Sequence, residues 1–231
     1  MAAGFLHRMF SRFIKNPGPK LIAQQLRKPS GVLGKKVGKK MNETNGLLYE
    51  LALNLLSINN HDTILEIGFG NGNFFNKILV SAEDLKVYGI DYSELMVKEA
   101  IANNIDSIKR GALNLRSGNS YSLPYADSIF DAVFCINVIY FWQNPTGHLK
   151  EIYRVLKPGG CFLTVFRTKQ SMQEMPFSKF GFTLYDEVEW TSLLQKNDFQ
   201  NIESFLIEEP VTNANGLKYS LESLCITAKK I

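Results

Sequence analysis

The residues best suited to chemistry lie in one stretch, Ile64-Leu65-Glu66-Ile67-Gly68-Phe69-Gly70-Asn71-Gly72. An apolar run enters a glycine-rich turn, and a carboxylate, Glu66, stands two positions before the first glycine. In the dinucleotide pattern G-x-G-x-x-G, the third glycine lets the helix pack on the strand while the helix N-terminus faces a pyrophosphate. Here the third glycine comes early, as Gly68, Gly70 and Gly72. A buried carboxylate is repelled by an anionic pyrophosphate and favoured by a cation. Glu66 therefore points to a positively charged ligand approached closely by the glycine backbone.

Further candidates follow in order. Asp91 ends a second strand-like run, placed to accept hydrogen bonds from two ribose hydroxyls, and Tyr92 follows it. A dehydrogenase would also carry an acid there, so Asp91 alone does not discriminate. Gly118-Asn119-Ser120 leads to Leu123-Pro124-Tyr125 and then to Asp127-Ser128-Ile129-Phe130-Asp131. Asn137 closes a fourth apolar run, and Tyr140, Phe141 and Trp142 come just after it. Val155-Leu156-Lys157-Pro158-Gly159-Gly160 reads as a helix-to-strand turn.

This succession, over roughly residues 45 to 168, resembles the class I S-adenosylmethionine-dependent methyltransferases. It is most similar to the small-molecule group that includes quinone-biosynthesis C-methyltransferases. The resemblance implies that Glu66, Gly68, Gly70 and Gly72 cradle S-adenosylmethionine, that Asp91 holds its ribose and that Tyr92 stacks near the adenine. It assigns the adenine edge to Asn119 and Ser120, and the pocket wall to Asn137. Tyr140, Phe141 and Trp142 then form the wall of an acceptor pocket. Family members usually carry an acid where Asn119 stands, but an amide oxygen can also accept from an adenine amino group. Asn137-Val138-Ile139-Tyr140 shares the Asn and Tyr of the N-P-P-Y motif of amide and adenine N-methylating enzymes and lacks both prolines, which disfavours nucleic acid as substrate.

The implied function is in-line transfer of a methyl group to a small, apolar or aromatic acceptor, with no assigned catalytic base. Two alternatives stay open: a nicotinamide-dependent oxidoreductase, disfavoured by Glu66 and the glycine spacing, and a non-catalytic methyltransferase-like binding protein, kept open by Asn119. No zinc site is expected, because His7, His61 and His148 are scattered and Cys135, Cys161 and Cys225 lack C-x-x-C spacing. The cysteines read as small buried hydrophobes of a reducing, cytoplasmic setting. His148 reads as solvent-facing at a helix start.

The elements that must position these residues alternate along the chain. Strands are expected over 63–67, 86–90, 112–116, 130–136 and 161–166, with helices between them, which gives a parallel sheet. One helix after Ser93 should turn Leu95, Met96, Ile101, Ile105 and Ile108 to the core. A helix over 186–196 and strands over 201–207 and 223–228 follow. The expected class is α/β, a Rossmann-like, mostly parallel seven-stranded sheet with helices on both faces, the last strand antiparallel.

Charge divides the chain into two parts. Residues 1–42 hold ten Lys or Arg and no acid, a charge of +10, whereas the remaining 16 basic and 22 acidic residues leave −6. Residues 1–42 thus read as a basic helical appendage and 43–231 as the cofactor-binding domain. In the appendage, Phe5, Leu6, Met9, Phe10, Phe13 and Ile14 share one helical face, residues 20–28 form a short helix, and the Gly-Lys stretch 31–40 is expected to be irregular. Three roles compete: a lid over the acceptor pocket, a membrane-surface helix giving peripheral contact with a lipid-soluble acceptor, and a transit peptide. Aromatics interleaved with the lysines, which single-stranded nucleic acid would require, are absent.

Overall fold

The computed structural model describes residues 17–210, 212–214 and 217–231. The amphipathic face expected over residues 5–14 lies outside them. Helices α1 (Pro19–Arg27) and α2 (Gly31–Leu55) come first. They are followed by β1 (Thr63–Ile67), α3 (Phe75–Leu79), β2 (Lys86–Asp91), α4 (Glu94–Asn103), α5 (Ile105–Lys109), β3 (Leu113–Ser117) and β4 (Phe130–Ile136). The second half holds α6 (Pro145–Val155), β5 (Leu156–Arg167), α7 (Lys169–Gln173), α8 (Glu187–Lys196), β6 (Gln200–Glu208), a small hairpin of β7 (Thr212–Ala214) and β8 (Leu217–Tyr219), and β9 (Glu222–Lys229).

Seven strands form one sheet in the order β3-β2-β1-β4-β5-β9-β6. All pairings from β3 to β5 are parallel, and β9 runs antiparallel to both β5 and β6. This is the expected Rossmann-like architecture. The direction of chain progression reverses between β1 and β4, and open α/β sheets bind ligands in the crevice that this reversal opens at the strand carboxyl ends. Central strands buried on both faces need apolar residues at every position. Accordingly Ile64 packs on one face with Phe75, Val87 and Phe134, while Leu65 packs on the other with Val133, Phe162 and Ile226.

Three expectations are corrected. Residues 31–40 are not irregular: they are the first turns of the helix α2, which runs through residues 42 and 43 without a break. Gly34, Val37, Gly38, Asn45, Leu48, Tyr49 and Ala52 line its buried face, and Lys35, Lys36 and Lys39 point outward. The glycines act there as small residues. A Cβ on Gly34 would stand 2.7 Å from the Pro29 carbonyl carbon, and one on Gly38 would stand 3.1 Å from Met96 Sδ. Each helical glycine costs about 1 kcal/mol relative to alanine, and the close packing that it permits offsets that cost.

Secondly, the helix after Ser93 breaks at Asn104, whose amide donates to Gly72 O and Ala100 O. Ile101 and Ile105 are consequently exposed, and Met96, Val97 and Ala100 form the inner face. Thirdly, pairing of β5 with β4 begins at Leu156, before the expected 157–160 turn. Phe130 pairs with Leu156 and Ala132 with Cys161, so the Lys-Pro-Gly-Gly residues bulge within the strand.

Candidate functional site

The Gly68–Gly72 turn leaves the carboxyl end of β1 with Gly68, Gly70 and Gly72 all at positive φ. Each glycine has a different neighbour. A Cβ on Gly68 would lie 2.3 Å from Val138 Cγ2, because the turn crosses directly over the end of β4. One on Gly72 would lie 2.7 Å from Ala100 Cβ, so this residue brings the turn against α4. One on Gly70 would meet nothing within 4 Å. Gly70 therefore presents bare backbone to open space.

That space is a cleft of about 450 Å³ across the carboxyl ends of β1, β2, β3 and β4. Of the residues singled out by sequence, Gly68, Gly70, Asp91, Tyr92, Asn119, Ser120, Asn137, Phe141 and Trp142 line it. Gly72 sits behind it, against α4. Tyr140 lines a smaller adjoining chamber of about 60 Å³. Glu66 is deeper still, 2% exposed, and is not on the cleft wall. Its Oε1 accepts a hydrogen bond from the Tyr49 hydroxyl of α2. Burial pushes the Glu66 carboxyl up to about 8, opposed by the Tyr49 hydrogen bond and reinforced by the charge of Asp91.

Asp91 is 8% exposed. Its Oδ2 accepts from Gly70 N and its Oδ1 from Ser93 N, each at 2.8 Å, so the carboxylate ties β2 to the glycine turn. Burial raises it to about 6, against the lowering effect of those two amides. Each oxygen keeps a lone pair for a further donor. Ser93 also caps α4 and donates to Pro29 O at 2.6 Å, fixing the α1–α2 link over the cleft. Tyr92 is half exposed, with Lys28 Nζ 4.3 Å from its ring centre. Asn119 Oδ1 accepts from Tyr121 N at 3.0 Å, an Asx-type turn that shapes the loop after β3.

His148, read as solvent-facing, is instead 6% exposed. It stacks on Trp142 with ring centres 4.6 Å apart, and its Nδ1 lies 2.8 Å from Ser120 Oγ. Burial lowers its pKa to about 4, so the ring is neutral at pH 7. A helical period that counts only apolar residues does not place a histidine on the inner face of α6, although its i, i+4 relation to Ile152 carried that signal.

Asn137 takes positive φ immediately after β4. Its Nδ2 donates to Asn45 Oδ1 at 3.1 Å, and its Oδ1 accepts from the Tyr140 hydroxyl at 3.0 Å. That hydroxyl also accepts from Arg167 N. A polar ridge thus separates the cleft from the smaller chamber, and Leu26, Met41, Asn137 and Phe141 border both.

Several wall residues came from parts of the chain with no motif. Leu26, Arg27, Pro29 and Met41 from the N-terminal helices cover one side of the cleft. Asn71 stands inside the glycine turn, and its Oδ1 is buried without a hydrogen-bond partner, beside a recess shared with Gly38, Asn45, Gly68 and Gly70. An orphaned buried acceptor beside an open glycine backbone fits a cofactor that brings its own donor. A wider concavity of about 890 Å³ opens at the opposite edge of the sheet around Asp62, Asp131 and Gly159. It touches none of these groups and lies at the strand ends where such sheets do not bind ligands.

Comparison with known proteins bears on the fold and the domain. Residues 65–164 match the family model described as a methyltransferase domain. The chain is 36% identical over 120 residues to the uncharacterized methyltransferase YdaC of Bacillus subtilis (strain 168), covering 52% of this chain and 64% of that one. It is 33% identical over 141 residues to the demethylmenaquinone methyltransferase of Symbiobacterium thermophilum, covering 60% of this chain and 53% of that one. The chain thus spans less than two thirds of the length of either relative. A solved methyltransferase in complex with the Trm112 methyltransferase activator, from Haloferax volcanii, shares the fold with a TM-score of 0.74 over 90% of this chain and 97% of that one, at 18% identity. Residues 65–164 are thus similar to a methyltransferase domain, and the chain shares the fold of solved methyltransferases.

Proposed function

We propose that the protein transfers a methyl group from S-adenosylmethionine to a small, apolar or aromatic acceptor by in-line displacement. One observation carries this reading: the open Gly70 backbone, Asp91 and a largely apolar chamber meet across a single polar ridge. The cofactor, when bound, supplies a methyl carbon already activated by the sulfonium. The protein's part is to align a nucleophile and exclude water.

In this reading Asp91 accepts from the ribose hydroxyls with its remaining lone pairs, and Tyr92 flanks the adenine. Asn119 and Ser120 read the adenine edge, with Ser120 held by the neutral His148. Asn71 Oδ1 accepts from a donor on the amino-acid end. Glu66 acts from below the turn, favouring positive charge above it as it ionises near pH 8. Asn137 separates the two compartments, and Tyr140, Phe141 and Trp142 form the wall nearest the transferred group. Leu26, Arg27, Pro29 and Met41 act as a lid.

The test is turnover of S-adenosylmethionine against a panel of quinols, phenols and lipid acceptors, with release of S-adenosylhomocysteine as the readout. Product formation with at least one apolar or aromatic member supports the proposal; cofactor binding without turnover of any member overturns the acceptor class. Peripheral membrane contact through the basic N-terminal residues is a separate proposal. It is carried by their +10 charge and is tested by co-sedimentation of full-length protein and an Arg8→Glu, Arg12→Glu variant with anionic vesicles. Equal partitioning removes it.

A further inference from the structure

This inference rests on the methyl-transfer reading and concerns how the acceptor is chosen. The small chamber is lined by Met41, Tyr140, Phe141, Met172, Phe177 and Phe182, and also by Arg167, the last residue of β5. Arg167 is 7% exposed, an unusual environment for a guanidinium. Glu209 balances its charge through a two-pronged pair, Nε to Oε1 at 2.8 Å and Nη2 to Oε2 at 3.0 Å. Nη2 also donates to Thr44 O at 3.0 Å, and Ser223 Oγ donates to Glu209 Oε1 at 2.8 Å. The Arg167 backbone N–H is held by the Tyr140 hydroxyl. Every part of this arrangement is therefore anchored, with one exception. Nη1 has no hydrogen-bond partner among the described residues.

Arg167 lines the chamber, and Nη1, which the protein neither pairs nor fully encloses, has an N–H left to give, so a ligand oxygen in the chamber can accept it. The charge balance says which kind of oxygen. Arg167 and Glu209 together are neutral, so a ligand carboxylate would bring a second negative charge into low dielectric beside Glu209. A hydroxyl or carbonyl oxygen accepts from Nη1 without that penalty. The surrounding rings favour a planar body, and the flexible Met41 and Met172 side chains can adjust to admit it into so small a chamber. We propose that Arg167 anchors the methyl acceptor, its Nη1 donating to a neutral hydroxyl or carbonyl oxygen on an aromatic ring seated among Phe141, Phe177 and Phe182. Arg167 thereby selects oxygenated rings over both hydrocarbon and carboxylated ones.

The experiment is calorimetry on full-length protein saturated with S-adenosylhomocysteine, titrated with p-cresol, toluene and p-toluate. The expected result is p-cresol at least tenfold tighter than either of the others. Arg167→Met alone would strand Glu209, so the informative variant is Arg167→Met with Glu209→Gln. It should bind p-cresol and toluene equally while holding S-adenosylhomocysteine within twofold of wild type. Equal binding of p-cresol and toluene by the wild type overturns the proposal, as does tightest binding of p-toluate or a retained p-cresol preference in the paired variant. The wild-type ranking decides even if that variant does not fold. Failure of the wild type to bind S-adenosylhomocysteine at all would instead sink the methyl-transfer reading beneath it.

Discussion

The cleft and the chamber beside it are built in opposite ways. Beneath the cover of the N-terminal helices, the cleft is made of short local segments at strand ends: 67–70 at β1, 90–92 at β2, 118–121 after β3 and 136–138 at β4. Its key groups are backbone amides and a carboxylate that the turn itself orients. The chamber gathers Leu26, Met41, Thr44, Asn45, Arg167, Met172, Phe177 and Phe182 from both ends of the chain. Of its lining, only Asn137, Tyr140 and Phe141 lie near a motif. A compartment whose ligand is common to many proteins can be specified by local backbone geometry. The chamber is instead assembled from side chains that only the fold brings together.

If that contrast is right, damage to the cleft should abolish cofactor binding or the fold, and damage to the chamber should spare both. The largest effect is expected at Gly68. Alanine there takes a strained left-handed backbone and places its Cβ 2.3 Å from Val138 Cγ2, a cost of about 3 kcal/mol or more from conformation and overpacking together. Gly70→Ala has the same backbone strain and no collision, so about 1–2 kcal/mol is expected. Denaturant melts of the two variants compare them directly, and equal losses would refute the view that Gly68 alone is a crossing point.

Asp91→Ala comes next. It strips Gly70 N and Ser93 N of their acceptor and removes the proposed ribose contacts, so cofactor affinity should fall about 100-fold, the loss of one or two charge-assisted hydrogen bonds. Calorimetry that finds tight binding unchanged removes the ribose assignment.

Glu66→Gln should separate stability from binding. The folded Glu66 carboxyl titrates near 8 against an ordinary value of 4.5. Between those values the folded state holds a proton that the unfolded chain has released, so stability is lost as pH rises through the window. Asp91, raised to about 6, acts in the same direction at lower pH. Glutamine removes the Glu66 share, and the variant's urea midpoint should exceed that of wild type at pH 8 but not at pH 4.5. Wild-type affinity for S-adenosylmethionine should rise from pH 6.5 to 8.5 as Glu66 ionises beneath the cation, and the variant's should be flatter. A wild-type affinity that does not change over this range would show that Glu66 plays no part in ligand charge.

The smallest effect on the cofactor is expected at Phe182, which lines only the chamber and packs on Phe141 with ring centres 4.8 Å apart. Phe182→Ala should leave S-adenosylhomocysteine affinity within about twofold, well under the tenfold that 1.4 kcal/mol represents, and should raise KM for any acceptor found by the panel. A large loss of cofactor affinity in this variant would erase the distinction between the compartments.

Much of the domain was legible because alternating apolar runs and turn residues are local signals. The strands 63–67 and 130–136 and the short helix after Pro19 stand where their periodicity placed them. The misreadings share one cause. Gly34 and Gly38 looked like breakers because local propensity cannot register Pro29, Leu95 and Met96 closing over them. Ile101 and Ile105 looked like core because their period ran past Asn104, where an amide held by the glycine turn ends the helix. His148 looked solvated because nothing nearby in the chain announces the Trp142 ring and the Ser120 hydroxyl that it meets.

Order and spacing along the chain were enough to determine the α/β class, the glycine turn and the acid that follows it, since backbone conformation and strand patterning depend on neighbours a few residues apart. Tertiary structure alone decided that Glu66 lies beneath the turn, that residues from the N-terminal helices wall the cleft and that Arg167 and Glu209 meet beside an apolar chamber. Those facts depend on contacts between residues tens of positions apart, whose partners become definite only when the helices dock on the sheet and water is excluded between them.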